Sequence, residues 1–201
     1  RINAFQCAFV EDNVGSDLIT WSLKSLIDKA AADQGRAIRF SFASFTPDHI
    51  PLEMRKNIKD ALVQLTRNAI AHGIESAEDR TAAGKSADAV IEIGSAIENG
   101  ELRVFLRDDG RGLDYEIIRA RAVAEGLMSE SDAARASRKD LAALIFESHF
   151  STAAAVSQDS GRGAGMGVVR KAVERLNGRL VIRNTPGRSC EFELLIPVAA
   201  C

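Results

Sequence analysis

Two glycine-bearing signatures, one near the middle of the chain and one toward its C-terminal end, constrain the fold more than any other feature. The first is Asp108-x-Gly110-x-Gly112, and it follows a segment in which apolar residues alternate as in a β-strand. The second is Gly161-x-Gly163-x-Gly165, and it precedes an amphipathic segment with helical spacing. Glycine lets the backbone approach a flat ring closely, and free N–H groups at a helix start favour a phosphate. Together the two signatures indicate a nucleotide site.

Each signature has a simpler interpretation when it is taken alone. Asp-Gly pairs are common in surface turns, and glycine-rich stretches are common in flexible loops. The second signature lacks the lysine of a P-loop, which excludes that class of phosphate site. In favour of function, a carboxylate at Asp108 could accept a hydrogen bond from an exocyclic amine such as adenine N6. The nucleotide interpretation therefore depends on further matching elements.

A helix predicted from Leu52 to His72 supplies one such element. Gln64, Asn68 and His72 lie four residues apart on one face of this helix, so the three side chains can point toward a common ligand. Taken without the glycine signatures, Asn68 and His72 would be interpreted as ordinary polar surface residues. The opposite face is suited to the core, and it carries Ile58, Leu62, Leu65 and Ala69.

The remaining pattern interleaves helices and strands, and the strands fall mainly in hairpins. This arrangement predicts an α/β (α+β) two-layer sandwich, with a mixed, mostly antiparallel sheet covered by helices, rather than a parallel Rossmann sheet. Asn99-Gly100 and Thr185–Arg188 supply the two hairpin turns. The predicted helices are Leu18–Ala32, Asp114–Glu125, Ser137–Glu147 and Gly165–Leu176, and the predicted strands are Ala37–Phe45, Val90–Ala96, Leu102–Arg107, Gly178–Asn184 and Cys190–Ile196.

Composition narrows the class of protein further. With 201 residues, 46% of them hydrophobic, the chain can bury one sizeable core. Its net charge of −2 favours neither nucleic acid nor membrane as a partner. No segment is apolar enough for membrane insertion. The three cysteines lack the spacing of a metal site and fit a reducing cytoplasm. We expect a fragment of a longer protein, with an N-terminal extension or the end of a preceding segment at 1–17 and one domain at 18–198.

Four motifs, taken in order along the chain, resemble the ATP-binding domain of the GHKL superfamily, and within it the CheA family of chemotaxis kinases. The motifs are Leu62–Glu75, Asp108–Asp114, Phe150–Thr152 and Gly161–Met166. The superfamily also includes gyrase, MutL and the ninety-kilodalton heat-shock chaperones. The resemblance implies a Bergerat-type ATP-binding fold, in which ATP lies between the helix that carries Asn68 and a lid at about 147–164.

The resemblance implies ATP and Mg²⁺ as ligands. Asn68 would bind the Mg²⁺ that bridges the phosphates, and Asp108 would bind adenine. Gln64, Asn68 and His72 would form the catalytic group. The other nucleotide-binding residues would be Arg67 and His72 near the ribose and phosphates, Gly110 and Gly112 beside the ring, Ser151 and Thr152 in the lid, Gly161, Arg162, Gly163 and Gly165 at its hinge, and Met166. Met166 is equally consistent with a core residue at a helix start.

The resemblance also implies the reaction, which is transfer of the ATP γ-phosphoryl group to a histidine. Such transfer depends mainly on positioning and on neutralising charge. His49, His72 and His149 do not lie mid-helix on an exposed face, so we expect the accepting histidine on a separate phosphotransfer domain. The implied partners are that domain, a response regulator indirectly, and a CheW-like coupling protein.

Five positions depart from the CheA pattern. Gln64 stands where CheA proteins usually have histidine and gyrase has glutamate, and an amide cannot act as a base. Ala71 and Gly167 each replace a usual aspartate, and Ile117 and Ala153 replace lysines near the phosphates. The sequence therefore leaves a second interpretation open, which is a degenerate nucleotide-binding scaffold of the same family. A third and weaker interpretation is a GHKL ATPase clamp or an anti-sigma-type serine kinase. The cations that could compensate are Arg67, Lys85 and Arg162.

Overall fold

The computed structural model describes residues 19–26, 29, 37–147, 150 and 165–198. The predicted extension at 1–17 and most of the predicted lid lie outside these residues. Ser151, Thr152, Gly161, Arg162 and Gly163 therefore stay predictions without a structural account.

Within the described residues, groups of helices are interleaved with strands along the chain. The helices are α1 (residues 19–26), α2 (Leu52–Asn68), α3 (Ala77–Ala82), α4 (Tyr115–Ala124), α5 (Glu130–Arg135), α6 (Arg138–Leu144) and α7 (Gly167–Arg175), and the strands are β1 (Ile38–Ser44), β2 (Ala89–Glu98), β3 (Glu101–Asp108), β4 (Arg179–Thr185) and β5 (Ser189–Pro197).

The five strands form one mixed sheet in the order β1-β2-β3-β5-β4. β1 and β2 are parallel, whereas the other neighbouring strands are antiparallel. Asn99 and Gly100 both have positive φ, at 51° and 75°, as the tight turn between two antiparallel strands requires. The predicted two-layer sandwich with a mixed, mostly antiparallel sheet is confirmed.

The helices pack against one face of the sheet, and a single hydrophobic core lies between the two layers. Leu102, Val104 and Leu106 alternate along β3 and are fully buried, as their spacing predicts. Ile58, Leu62 and Leu65 on α2 are also fully buried, and α2 lies beside α7. Each such side chain contributes about 1.5–3 kcal/mol by leaving water. The core therefore holds α2 in place over the sheet.

The helix predicted from Leu52 to His72 is shorter than expected. α2 ends at Asn68, and a single π-helical turn follows at Ala69–Gly73. In this wider turn the Ile74 N–H donates to the Ala69 carbonyl at 2.8 Å. Such turns are rare and are often found at functional sites. The hydrophobic spacing is nearly the same for both kinds of turn, so the sequence pattern does not distinguish them.

Two short helices, α3 and α5, have no counterpart in the sequence prediction. Each begins after a serine whose side chain caps it: Ser76 accepts a hydrogen bond from Asp79 N–H, and Ser129 accepts one from Asp132 N–H. Helices of six residues show too little hydrophobic periodicity to be recognised.

Candidate functional site

Asp108 is the last residue of β3, and its carboxylate is buried on the core side of the sheet, with 2% of the residue exposed. Its Oδ1 accepts a hydrogen bond from the Gly110 N–H at 3.0 Å. Within the part of the chain that the structure describes, no donor lies on Oδ2. Asp108 therefore has one oxygen committed to the protein and one available to a ligand.

The charges around Asp108 make this carboxylate costly to ionise. Burial raises its pKa to about 6, and the hydrogen bond from Gly110 N–H opposes that rise. The carboxylates of Asp109 and Glu75 raise the pKa further, and the ammonium of Lys85 lowers it. At neutral pH the group is mostly an anion, and it gains from any hydrogen-bond donor that a ligand brings.

Gly73 and Gly110 let two backbone segments meet beside Asp108. A Cβ on Gly110 would lie 2.2 Å from the Gly73 carbonyl oxygen, and one on Gly73 would lie 3.0 Å from Asp108 Oδ1. The Arg111 N–H donates to the same Gly73 carbonyl at 2.8 Å. The end of the π turn is therefore held directly against the loop that follows β3. The close approach of these two backbone segments leaves no room for a side chain at position 110, which explains the glycine there.

Gly112 is required for a different reason. Its φ is +70°, and a Cβ there would lie 2.5 Å from Asn184 Oδ1. Asn184, on β4, accepts a hydrogen bond from Leu113 N–H at 2.7 Å and donates one to the Leu113 carbonyl at 3.0 Å. These two bonds fasten the loop after Asp108 to the edge strand.

The C-terminal part of α2 carries the other predicted site residues. Gln64 and Asn68 are half-buried, whereas Arg67 and His72 are exposed. Partial desolvation, followed by the nearby Arg111 guanidinium, lowers the pKa of His72 below 6.5, so its imidazole is mostly neutral at pH 7. Because Gly73 closes the turn that follows Asn68, the end of α2 lies at the same edge of the sheet as Asp108.

A buried ion-pair network behind Asp108 was not predicted from the sequence. Its centre is Arg80, which is 1% exposed and donates to Glu75 Oε2 at 3.2 Å and to Asp109 Oδ2 at 2.8 Å. Arg80 also donates to the backbone carbonyls of Ser86, Asp88 and Asp109. All its donor nitrogens are thus used within the protein, as a buried guanidinium requires.

Lys85 completes this network. Its Nζ donates to Glu75 Oε1 at 2.7 Å, to the Asp109 carbonyl at 3.1 Å and to the Gly110 carbonyl at 2.8 Å. The sequence left Lys85 as a cation that could replace the two lysines missing near the phosphates. This interpretation is wrong, because the ammonium already donates three hydrogen bonds within the protein. The signal that could have identified the network is an acidic residue after the helix, Glu75, followed by two cations before the next strand.

The other predicted residues are placed as follows. Met166 is buried in the core and precedes α7. Gly165 before it is exposed, and no described atom lies within 4 Å of the position that a Cβ would take there. Ile117 lies on α4 with 53% of the residue exposed, and Ala71 is exposed in the π turn. Among the described residues, no cluster of three or more His, Cys, Asp or Glu side chains could hold a metal ion.

The mixed five-stranded sheet covered by helices, with the buried Asp108 carboxylate and two close-packed glycines at its edge, defines the class as an α/β sandwich. A family model described as histidine kinase-, DNA gyrase B- and HSP90-like ATPase matches residues 57–200, and the chain belongs to this family. The GHKL resemblance predicted from the motifs is confirmed. No helix among the described residues is both long and apolar enough to span a membrane.

Two curated relatives illustrate the similarity. The gliding motility regulatory protein of Myxococcus xanthus is 38% identical over 144 residues, which cover 72% of this chain and 18% of the relative. The chemotaxis protein CheA of Halobacterium salinarum is 36% identical over 141 residues, which cover 70% of this chain and 21% of that protein. The chain therefore spans about a fifth of the length of these relatives.

A solved structure shows the same fold. The histidine kinase domain of the blue-light activated histidine kinase EL346 of Erythrobacter litoralis superposes with a TM-score of 0.53 at 18% identity. The match covers 96% of this chain and 65% of that one. At this identity the likeness concerns the fold alone.

Proposed function

We propose that this chain is the ATP-binding catalytic domain of a CheA-like histidine kinase and transfers the γ-phosphoryl group of ATP to a histidine on a separate phosphotransfer domain. The observation that carries the proposal is the buried Asp108 carboxylate, whose Oδ2 has no partner among the described residues. A carboxylate of this kind recognises a purine by accepting a hydrogen bond from its exocyclic amine. Gly73 and Gly110 keep the neighbouring backbone free of side chains.

Asn68 fits the proposed Mg²⁺ role through its neutral amide oxygen. Mg²⁺ is commonly held by one or two protein oxygens, several waters and the phosphates of the nucleotide. When bound, Mg²⁺ would neutralise charge on the phosphates. Asn68, half-buried at the end of α2, would orient it.

The chain's own residues are proposed to act by positioning rather than by covalent catalysis. His72 is mostly neutral at pH 7, so it can donate or accept a hydrogen bond near the ribose or phosphates without adding a charge. Gln64 is half-buried on the same helix and can orient a group but cannot remove a proton. The phosphotransfer domain, a response regulator acting after it and a CheW-like coupling protein are the proposed partners.

A second candidate function is a nucleotide-binding scaffold without kinase activity. The observation that favours it is the surface around α4 and the π turn. Ile117 and Ala71 are exposed there, at positions where the family pattern has charged groups. Lys85 does not compensate for them, because Glu75 and two backbone carbonyls already hold it. Loss of such charge-assisted contacts would reduce phosphoryl transfer more than binding of the base.

Calorimetric titration with Mg-ATP tests nucleotide binding first. We expect Asp108→Asn to abolish binding, because the amide replaces a charged acceptor, and Asn68→Ala to remove its Mg²⁺ dependence. Asn57→Ala, a half-buried asparagine earlier on α2, is the matched control and should leave affinity unchanged. Absence of binding to the wild-type chain at millimolar nucleotide would contradict the proposed function.

Incubation with ATP labelled at the γ-phosphate and a supplied histidine phosphotransfer domain then separates the two candidates. Label transferred to the domain, and removed by Asn68→Ala, would support the kinase. Tight Mg-ATP binding without any transfer would favour the scaffold.

A further inference from the structure

We propose that Lys85 is a positioning residue for base recognition: by holding both peptide groups around Gly110, it orients Asp108 so that Oδ2 faces the exocyclic amine of an adenine nucleotide. This inference rests on the proposed function, and it concerns the network of Glu75, Arg80, Lys85 and Asp109 rather than the residues that touch the nucleotide.

The first peptide group is the one between Asp109 and Gly110. Its carbonyl oxygen accepts hydrogen bonds from Lys85 Nζ at 3.1 Å and from Arg80 Nη1 at 3.2 Å. Its N–H, which belongs to Gly110, donates to Asp108 Oδ1 at 3.0 Å. Two cations on the carbonyl polarise the peptide and strengthen the N–H as a donor. Asp108 Oδ1 is thereby kept on the protein.

The second peptide group lies between Gly110 and Arg111. Its carbonyl accepts from Lys85 Nζ at 2.8 Å, and its N–H donates to the Gly73 carbonyl at 2.8 Å. Lys85 is thus the residue whose one ammonium contacts both peptides. Glu75 holds that ammonium from the other side at 2.7 Å, and it also pairs with Arg80.

With Oδ1 occupied, the orientation of the carboxylate is determined. A half-turn about its Cβ–Cγ bond only exchanges two equivalent oxygens, whereas a smaller rotation would break the bond to the Gly110 N–H. Gly73, whose Cβ position lies 3.0 Å from Oδ1 and 3.7 Å from Oδ2, lies on the Oδ1 side. The oxygen that remains for a ligand is Oδ2, and an anionic oxygen selects a base that presents a donor rather than a carbonyl.

The charge of Lys85 acts in the same direction. The titratable groups that face Asp108 are Asp109 and Glu75, which disfavour its anion, Lys85, which favours it, and the Cys190 thiol opposite it on β5, whose pKa burial raises. Removing the Lys85 charge leaves the carboxylates of Asp109 and Glu75 close to Asp108, and the Arg80 guanidinium, which pairs with both of them, does not contact Asp108 itself. The Asp108 carboxylate should then hold its proton to higher pH.

The test compares ATP with inosine triphosphate, which carries a carbonyl where adenine has its amine. Both affinities are measured by calorimetry for the wild-type chain, Lys85→Met and Lys85→Arg. We expect Lys85→Met to weaken ATP binding about tenfold while changing the inosine nucleotide little, so that the preference for ATP falls about tenfold. Lys85→Arg, which keeps the positive charge, should retain most of the wild-type preference for ATP over the inosine nucleotide.

Lys56→Met is the matched control, because Lys56 is an exposed lysine on α2, three turns before Asn68. It should leave both affinities unchanged. Urea unfolding of every variant verifies that each is folded at the temperature of the titration. If Lys85→Met is not folded, Lys85→Gln replaces it, since the amide keeps a donor but lacks the charge.

A titration of the Asp108 carboxyl by carbon NMR in the nucleotide-free chain supplies a second readout, with Asp108→Asn to assign the signal. We expect its midpoint to move to higher pH in Lys85→Met and to return toward the wild-type value in Lys85→Arg. A merely structural role for Lys85 predicts an equal loss of affinity for both nucleotides and an unmoved midpoint, and that result would overturn the inference. If the wild-type chain binds neither nucleotide, the proposed function fails. The NMR titration needs no nucleotide, so an Asp108 midpoint that is the same in Lys85→Met and in the wild-type chain overturns the inference independently.

Discussion

Replacing Gly110 by alanine tests the close contact on which the candidate site depends. The added Cβ would lie 2.2 Å from the Gly73 carbonyl oxygen, 2.4 Å from its carbon and 2.7 Å from Asp108 Oδ1. Carbon atoms do not approach oxygen below about 3 Å, so the π turn and the loop after β3 must separate by roughly 0.8 Å. Two of the crowded atoms belong to the backbone and cannot rotate away.

The cost of this separation has two parts. Overpacking of a closely packed site costs about 1–3 kcal/mol. The separation also weakens the hydrogen bond from Arg111 N–H to the Gly73 carbonyl, now 2.8 Å long, which contributes about 1 kcal/mol. We therefore expect Gly110→Ala to lower the free energy of unfolding by about 2–4 kcal/mol. A domain with a typical stability of about 5–15 kcal/mol would remain folded.

Urea unfolding followed by circular dichroism measures the change, and calorimetry with Mg-ATP measures binding in the same variant. Nucleotide affinity should be lost, because Asp108 and Gly73 no longer keep their relative positions. Gly167→Ala is the matched control: among the described residues, the atom that its Cβ would meet is the Phe146 carbonyl oxygen, at an ordinary 3.5 Å. A Gly110→Ala chain that unfolds within about 1 kcal/mol of wild type and still binds ATP would refute this reasoning.

Three further predictions follow from burial and charge. Burial raises the pKa of Asp108 from 3.8 to about 6, so between these pH values the folded chain binds a proton that the unfolded chain does not. The free energy of unfolding should therefore fall as pH rises through this window. ATP affinity should fall as pH drops below about 6, because the protonated carboxyl is a poorer acceptor. Asp108→Asn should abolish that pH dependence in urea unfolding and stabilise the chain by about 1–3 kcal/mol at pH 8, and an unchanged pH profile would contradict the assignment. Arg80→Met removes a buried guanidinium from Glu75, Asp109 and three backbone carbonyls, so it should lower the free energy of unfolding by about 3–5 kcal/mol in the same assay. Arg39→Met, at an exposed ion pair, should lower it by less than about 1 kcal/mol, and equal losses would contradict the network. Leu62→Ala should cost about 2–5 kcal/mol and Leu52→Ala, at 74% exposed, less than about 0.5 kcal/mol, so similar values would argue against the described core.

Most of the layer architecture could be predicted from local pattern. Alternation in β3 and the Asn99-Gly100 turn predicted the central hairpin, because side-chain period and turn chemistry are local properties. Two capping side chains, Asp114 at the start of α4 and Ser137 at the start of α6, likewise act within one turn of the chain. The π turn could not be predicted in this way, because one extra residue in a turn barely alters the hydrophobic spacing.

The candidate site was only partly predictable. The motifs brought Asn68, Asp108 and the glycines to attention by resemblance, and the structure shows which of them meet. Gly73 was part of a motif but had no assigned role, since its importance lies in a contact with Gly110 far along the chain. The roles of the residues at 151–164 stay predictions.

By itself, the sequence determined the class of this protein: the order of its motifs, the alternation of its strands and the amphipathic face of α2 are all properties that neighbouring residues carry. Only the tertiary structure decided that Arg80 and Lys85 lie behind Asp108, and that, among the described residues, one oxygen of its carboxylate accepts a hydrogen bond while the other accepts none. The reason is physical. Hydrogen bonds and ion pairs between residues distant in sequence depend on directions and separations that arise only once the helices and the sheet have packed together.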